Sequence, residues 1–123
     1  MRSRAVIAVL STAVLAPLSA QTTPTEEPPV VVANSCRPPA YPTMMRAAQM
    51  DGRVLLEFAV DTLGRVDASS ITAISSTHSQ FEEAARRAVL TCRFTPGKIN
   101  RQVARMNTRM PYNFTLRTEG RRR

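Results

Sequence analysis

Between residues 53 and 61 the chain alternates without a break. Val54, Leu56, Phe58 and Val60 fall on one side; Leu55, Glu57, Ala59 and Asp61 fall on the other. A period of two marks a half-buried strand. Such a strand must have its apolar face covered, which restricts the fold to a sheet with a second layer packed on it. Asp61-Thr62-Leu63-Gly64 follows as a turn, with Gly64 supplying the positive φ of a bulged hairpin. The return strand is expected over residues 66–74. Ser69 and Ser70 interrupt its alternation, so a bulge or change of face is expected there.

The covering layer comes from residues 79–92. Phe81, Ala84, Ala85, Ala88, Val89 and Cys92 are spaced i, i+3, i+4, i+7, i+8, i+11 and form one helical face. Ser79 and Glu82 have the spacing of a capping box. Glu82–Arg86 and Glu83–Arg87 have the spacing of i,i+4 ion pairs. A shorter helix is expected over residues 42–50. Pro42 suits its first turn, Gly52 serves as the left-handed residue past its end, and Met44, Ala47, Ala48 and Met50 give its apolar side.

Residues 102–116 read as one long strand. Ala104, Met106, Met110, Tyr112, Phe114 and Leu116 share one face, with Thr108 among them. Val103, Arg105, Asn107, Arg109, Asn113 and Thr115 share the other. Pro111 falls on that second face. It cannot donate to a ladder, so one side of the strand is expected to be unpaired there.

The N-terminal third cannot supply a core. Arg2 and Arg4, an uncharged apolar run from residue 5, and a small-residue exit ending at Ala20 follow the order of a secretory signal. The expected division is therefore 1–20 signal peptide, 21–39 proline-rich linker, 40–117 folded domain and 118–123 basic disordered tail. The alternative is an inner-membrane anchor over residues 5–18. Those 14 residues make roughly 21 Å of helix, against about 30 Å of hydrocarbon. Within the linker, Val30, Val31 and Val32 are candidates for a brief strand.

The chain carries 17 basic and 9 acidic residues, and every basic residue but Lys98 is arginine. Such a balance permits binding to nucleic acid, acidic lipid or an acidic protein surface, but a simply solvated basic surface is the preferred reading. Export weighs against nucleic acid. So does the last strand, where Arg105 and Arg109 lie on the face opposite Tyr112 and Phe114, so bases cannot stack beside them. The two cysteines, Cys36 and Cys92, point to a disulfide in an oxidising compartment; two buried free thiols are the alternative.

Enzyme chemistry is thin. His78 is the only histidine and lies in a polar stretch just before a helix. Phosphate loops, nucleophile elbows and metal-ligand clusters are missing from the sequence. Neither catalysis nor a metal, a cofactor or a small-molecule substrate is expected.

Taken in order, Tyr41-Pro42, Asp51-Gly52, Val54, Phe58-Ala59-Val60-Asp61, Gly64-Arg65-Val66, Phe81, Arg93-Phe94-Thr95-Pro96-Gly97 and Phe114 resemble the TonB C-terminal domain. The resemblance spans nearly all of the expected folded part. It implies an α+β fold, with two helices packed on one face of a three-stranded antiparallel sheet. It also implies a binding module that takes up a short extended segment of an outer-membrane TonB-dependent receptor by strand addition. The full-length transducers carry a membrane Ser-x-x-x-His; here Ser11 is followed four places on by Leu15. The linker, at about 3.1 Å per residue, reaches only some 60 Å. A stand-alone periplasmic module for a receptor or another envelope protein is therefore expected, with a TolA-like structural adaptor as the alternative.

The expected partner site is the edge of the last strand, at Val103, Arg105, Asn107, Arg109 and Pro111. The two arginines are expected to draw an acidic segment. The competing reading is an edge capped by the valine run, or by a second copy of the chain in a homodimer.

Overall fold

The structure is a computed structural model that describes residues 3–16 and 23–116. The expected signal-cleavage site at Ala20 and the basic tail lie outside the described residues. Residues 3–16 form no helix or strand, and no described helix is long and apolar enough to cross a membrane.

In chain order the elements are β1 (Glu26–Glu27), β2 (Val30–Val31), α1 (Thr43–Ala47), β3 (Gly52–Val60) and a 3-10 turn (Ala68–Ser70). They continue with β4 (Thr72–Ser76), α2 (Ser79–Val89), β5 (Phe94–Thr95), β6 (Lys98–Ile99), β7 (Gln102–Val103) and β8 (Met106–Phe114). The main sheet is antiparallel with order β4-β3-β8. Both helices lie on one face of it. Met45 of α1 and Phe81, Ala85, Ala88 and Val89 of α2 join Val54, Leu56, Phe58, Val60, Tyr112 and Phe114 in one core. This is the expected α+β architecture.

The alternation in β3 translates directly into burial: Val54, Leu56, Phe58 and Val60 are at most 1% exposed. Gly52 opens the strand. A Cβ there would run into the Phe81 ring and Thr77 Oγ1, so glycine lets α2 sit close on the sheet. Gly64 takes φ 79° in the hairpin turn, as expected. The expected irregularity at Ser69 and Ser70 is the 3-10 turn, with the Asp67 carboxylate accepting from Ser69 N–H and Oγ–H.

Several local expectations are corrected. The helix over residues 42–50 is one turn long and ends on Gln49 at φ 54°, so Gln49 and not Gly52 is the left-handed residue. Its buried side chain is Met45, while Met44 is exposed. The capping box is not made: His78 is the N-cap of α2, and Ser79 Oγ donates to Gln80. Glu83–Arg87 pairs at 3.3 Å, but Arg86 donates to the Ile71 carbonyl at 2.9 Å instead of meeting Glu82. The Ile71 carbonyl, just before β4, is an acceptor fixed by the backbone, whereas a Glu82 partner costs the ordering of a second side chain.

The N-terminal linker is not a bare spacer. β2 pairs with β5, as the valine run allowed, and β1 pairs with β6. Pro29 between them is buried. Cys36 and Cys92 form a disulfide.

A candidate strand-accepting edge

The last strand is not continuous. β7 pairs back onto β6 through Asn100 and Arg101, which take φ 50° and 67°. Two successive left-handed residues make the two-residue hairpin turn whose twist suits flanking strands. The chain then breaks at Ala104 and Arg105 before β8 begins. Val103 therefore sits opposite Lys98 in a small separate sheet and is not on the edge of β8. Nothing in the alternation of residues 102–116 signals that break; the left-handed preference of Asn100 is the one available hint.

β8 pairs with β3 over nine residues, from Gly52↔Phe114 to Val60↔Met106. The direction of its backbone groups follows from β3. Arg53 and Ala59 both turn their amide and carbonyl toward the β4 side. Arg53 N–H donates to Thr77 Oγ1 and its carbonyl accepts Thr77 N–H, while Ala59 N–H donates to Ser70 Oγ and its carbonyl accepts Asp67 N–H. Alternate residues of a strand point alternate ways, so Val54, Leu56, Phe58 and Val60 bond to β8. Their partners are Tyr112, Met110, Thr108 and Met106. Asn107, Arg109, Pro111 and Asn113 consequently aim their main-chain groups at the outer edge. Pro111 has no N–H to aim, which is why a proline is tolerated there.

That outer edge has no strand partner among the described residues. The valine run does not cap it, because β2 is paired with β5. The side chains of Asn107, Arg109 and Pro111 are exposed, on the face away from the helices.

The arginines are not free charges. Arg109 Nε meets Glu57 Oε2 at 2.8 Å across the ladder, and Arg105 Nη2 meets Asp67 Oδ2 at 2.7 Å. Ser69 and then Arg105 hold the Asp67 carboxyl below its ordinary value. The first pair ties β8 to β3, and the second ties the residue before β8 to the segment after the Gly64 turn. Both guanidinium groups are thus engaged by carboxylates of this chain.

Inside the sheet, Tyr112 is buried against the core, and desolvation pushes its phenol up to about 12. His78 lies beside Phe81 at the start of α2, with ring centroids 5.9 Å apart. Among the described residues no three His, Cys, Asp or Glu side chains are placed to hold a metal ion.

The family described as Gram-negative bacterial TonB protein C-terminal matches residues 37–116. No curated protein matches the chain significantly. The solution NMR structure of the Pseudomonas aeruginosa TonB C-terminal domain is similar, at 30% identity and a TM-score of 0.56. The match covers 76% of this chain and 90% of that one. The chain thus belongs to the TonB C-terminal family, and its folded part is a periplasmic protein–protein interaction module.

Proposed function

We propose that the outer edge of β8 takes up an extended segment of an outer-membrane TonB-dependent receptor, or of another envelope protein, by strand addition. The observation that carries this reading is the open row of main-chain groups at Asn107, Arg109, Pro111 and Asn113 on a nine-residue strand. Main-chain bonds supply affinity in such a complex, and the exposed side chains beside them supply selectivity. The core face of β8 holds the strand rigid against the helices, so little ordering of the edge is needed on binding. Export by a cleaved signal ending near Ala20 brings the module to its partner. N-terminal sequencing of the native protein tests that step; a retained Met1 means an anchor.

The decisive variant is Asn107→Pro, which removes one outward N–H without touching the β3 ladder. Calorimetric titration with receptor peptides is expected to lose binding while the circular dichroism spectrum is kept. Unchanged affinity in the folded variant puts the binding surface elsewhere. Capture from outer-membrane extract separates the two partner classes: β-barrel receptors support this reading, and cell-wall or Tol-type proteins alone support a structural adaptor. A second copy on the same edge shows as a dimer in sedimentation that the same variant dissolves.

A further inference from the structure

The molecule has a second strand edge, and its own N-terminal residues sit on it. Residues 25–37 run antiparallel to residues 91–100, with hydrogen bonds on both sides of Pro28-Pro29. Asn100 N–H donates to the Thr25 carbonyl at 2.8 Å, and Thr25 N–H donates back to Asn100 Oδ1 at 3.1 Å. Glu26 and Glu27 stand opposite Ile99 and Lys98, and Val30 and Val31 stand opposite Thr95 and Phe94. Val32 N–H donates to the Arg93 carbonyl at 2.8 Å. Arg93 N–H donates to Ser35 Oγ at 3.0 Å, and Arg37 N–H to Thr91 Oγ1 at 2.8 Å.

The grip is main-chain. Val30, Val31 and Val32 remain 60%, 40% and 44% exposed, and Pro29 is the buried side chain of the segment. The acceptor is shaped for it: a Cβ on Gly97 would meet the Glu27 carbonyl at 3.0 Å. One covalent bond, Cys36–Cys92, fixes the end of the segment.

We propose that residues 25–36 are a latch closing this second edge, and that the edge accepts extended peptides of the latch's own chemistry: acidic, then Pro-Pro, then a valine run. The disulfide is the lock. A dithiol reductant opens it by two exchanges. One thiolate of the reductant attacks a sulfur of the pair, and its second thiolate then displaces the protein from the mixed disulfide. The reductant leaves as a cyclic disulfide, two electrons pass to the protein, and the two thiol protons end on Cys36 and Cys92. The opened latch stays tethered beside its edge at high effective concentration, so it must also be weakened for a free peptide to win.

The test uses a labelled peptide with the sequence of residues 25–33 as probe. It is titrated by fluorescence anisotropy into the oxidised wild-type chain and into a Cys36→Ser/Val32→Pro double variant. The double variant lacks the lock and the Val32 N–H bond but keeps the acceptor edge intact. Capture by the double variant, with binding to the oxidised chain weaker by about tenfold or more, is expected. Equal binding to both, or no binding to a double variant folded by circular dichroism, overturns the proposal. A double variant that dimerises and ignores the peptide assigns the edge to a second copy and also overturns it. If that variant fails to fold, hydrogen exchange on the wild type decides. Reduction is expected to speed exchange at the Val32 and Asn100 amides about tenfold while β3 stays protected; unchanged rates at those two amides overturn the proposal. Adding Asn107→Pro leaves peptide capture here unaltered, which keeps this edge distinct from that of β8.

Discussion

Leu55 faces Pro111 across the β3–β8 ladder at a pair that exchanges no hydrogen bond. The proline ring therefore costs the sheet nothing, and its missing N–H is a gap in the outer row of donors. Pro111→Ala fills that gap. It is expected to tighten binding of an extended peptide about five-fold, the worth of one net hydrogen bond. Calorimetry on the variant checks this, and an unchanged Kd means the added strand stops short of residue 111.

Gly52→Ala tests the seat of the second helix. The new methyl meets the Phe81 ring, which itself lies 4.6 Å from the Phe114 ring, centroid to centroid. Overpacking at such a site costs about 1–3 kcal/mol. Urea titration is expected to show that loss. No change in midpoint means Phe81 can swing aside.

Arg101 is held left-handed at φ 67° without glycine's freedom. Arg101→Gly gives the turn the Asn-Gly sequence that such hairpins prefer and is expected to stabilise the fold by about 0.5–1 kcal/mol. Thermal unfolding measures it. A destabilised variant means the arginine side chain makes a contact that outweighs the backbone strain.

Alkaline stability follows from Tyr112. Its phenol is raised from 10.0 to about 12 in the fold by desolvation, so the folded state holds that proton more tightly than the unfolded chain. The contribution is fully present below pH 10 and is lost as pH climbs toward 12. Tyr112→Phe is expected to flatten the fall in unfolding free energy across that window. A wild-type slope retained in the variant assigns it to another group.

How much of this was legible in the sequence depends on the range of the interaction. The β3 face, the α2 face and the two faces of β8 rest on periodicity and the Gly64 turn on turn chemistry, and both are local. The order of those elements sufficed for the family. What escaped was set by partners far along the chain. Arg86 finds a carbonyl at Ile71 rather than the glutamate one turn away. Gly52 answers to Phe81, not to the helix before it. The segment before Cys36 looked like spacer because its bonds are main-chain bonds to residues 91–100, and proline-rich composition does not report main-chain pairing. Of the residues named for the partner site, Asn107, Arg109 and Pro111 lie on β8, Arg105 lies in the break before it, and Val103 lies in the small sheet because a hairpin without glycine intervenes.

The Cys36–Cys92 bond also fixes how the domain carries mechanical load. A pull on the N-terminal end peels β1 and then β2 from their partners one pair at a time, because each short ladder is loaded from its end. Peeling stops at Cys36, and tension then passes through the sulfurs to the end of α2. The 56 residues of sequence separation between the cysteines are bypassed, so the helices, β3 and β4 stay off the tensioned path. In a stretching experiment the oxidised chain should come up short of the reduced one by about 190 Å of contour. If a partner grips β8 as proposed, a pull from the N-terminal end runs through residues 25–36, the disulfide and the chain after Cys92, and not through the helices.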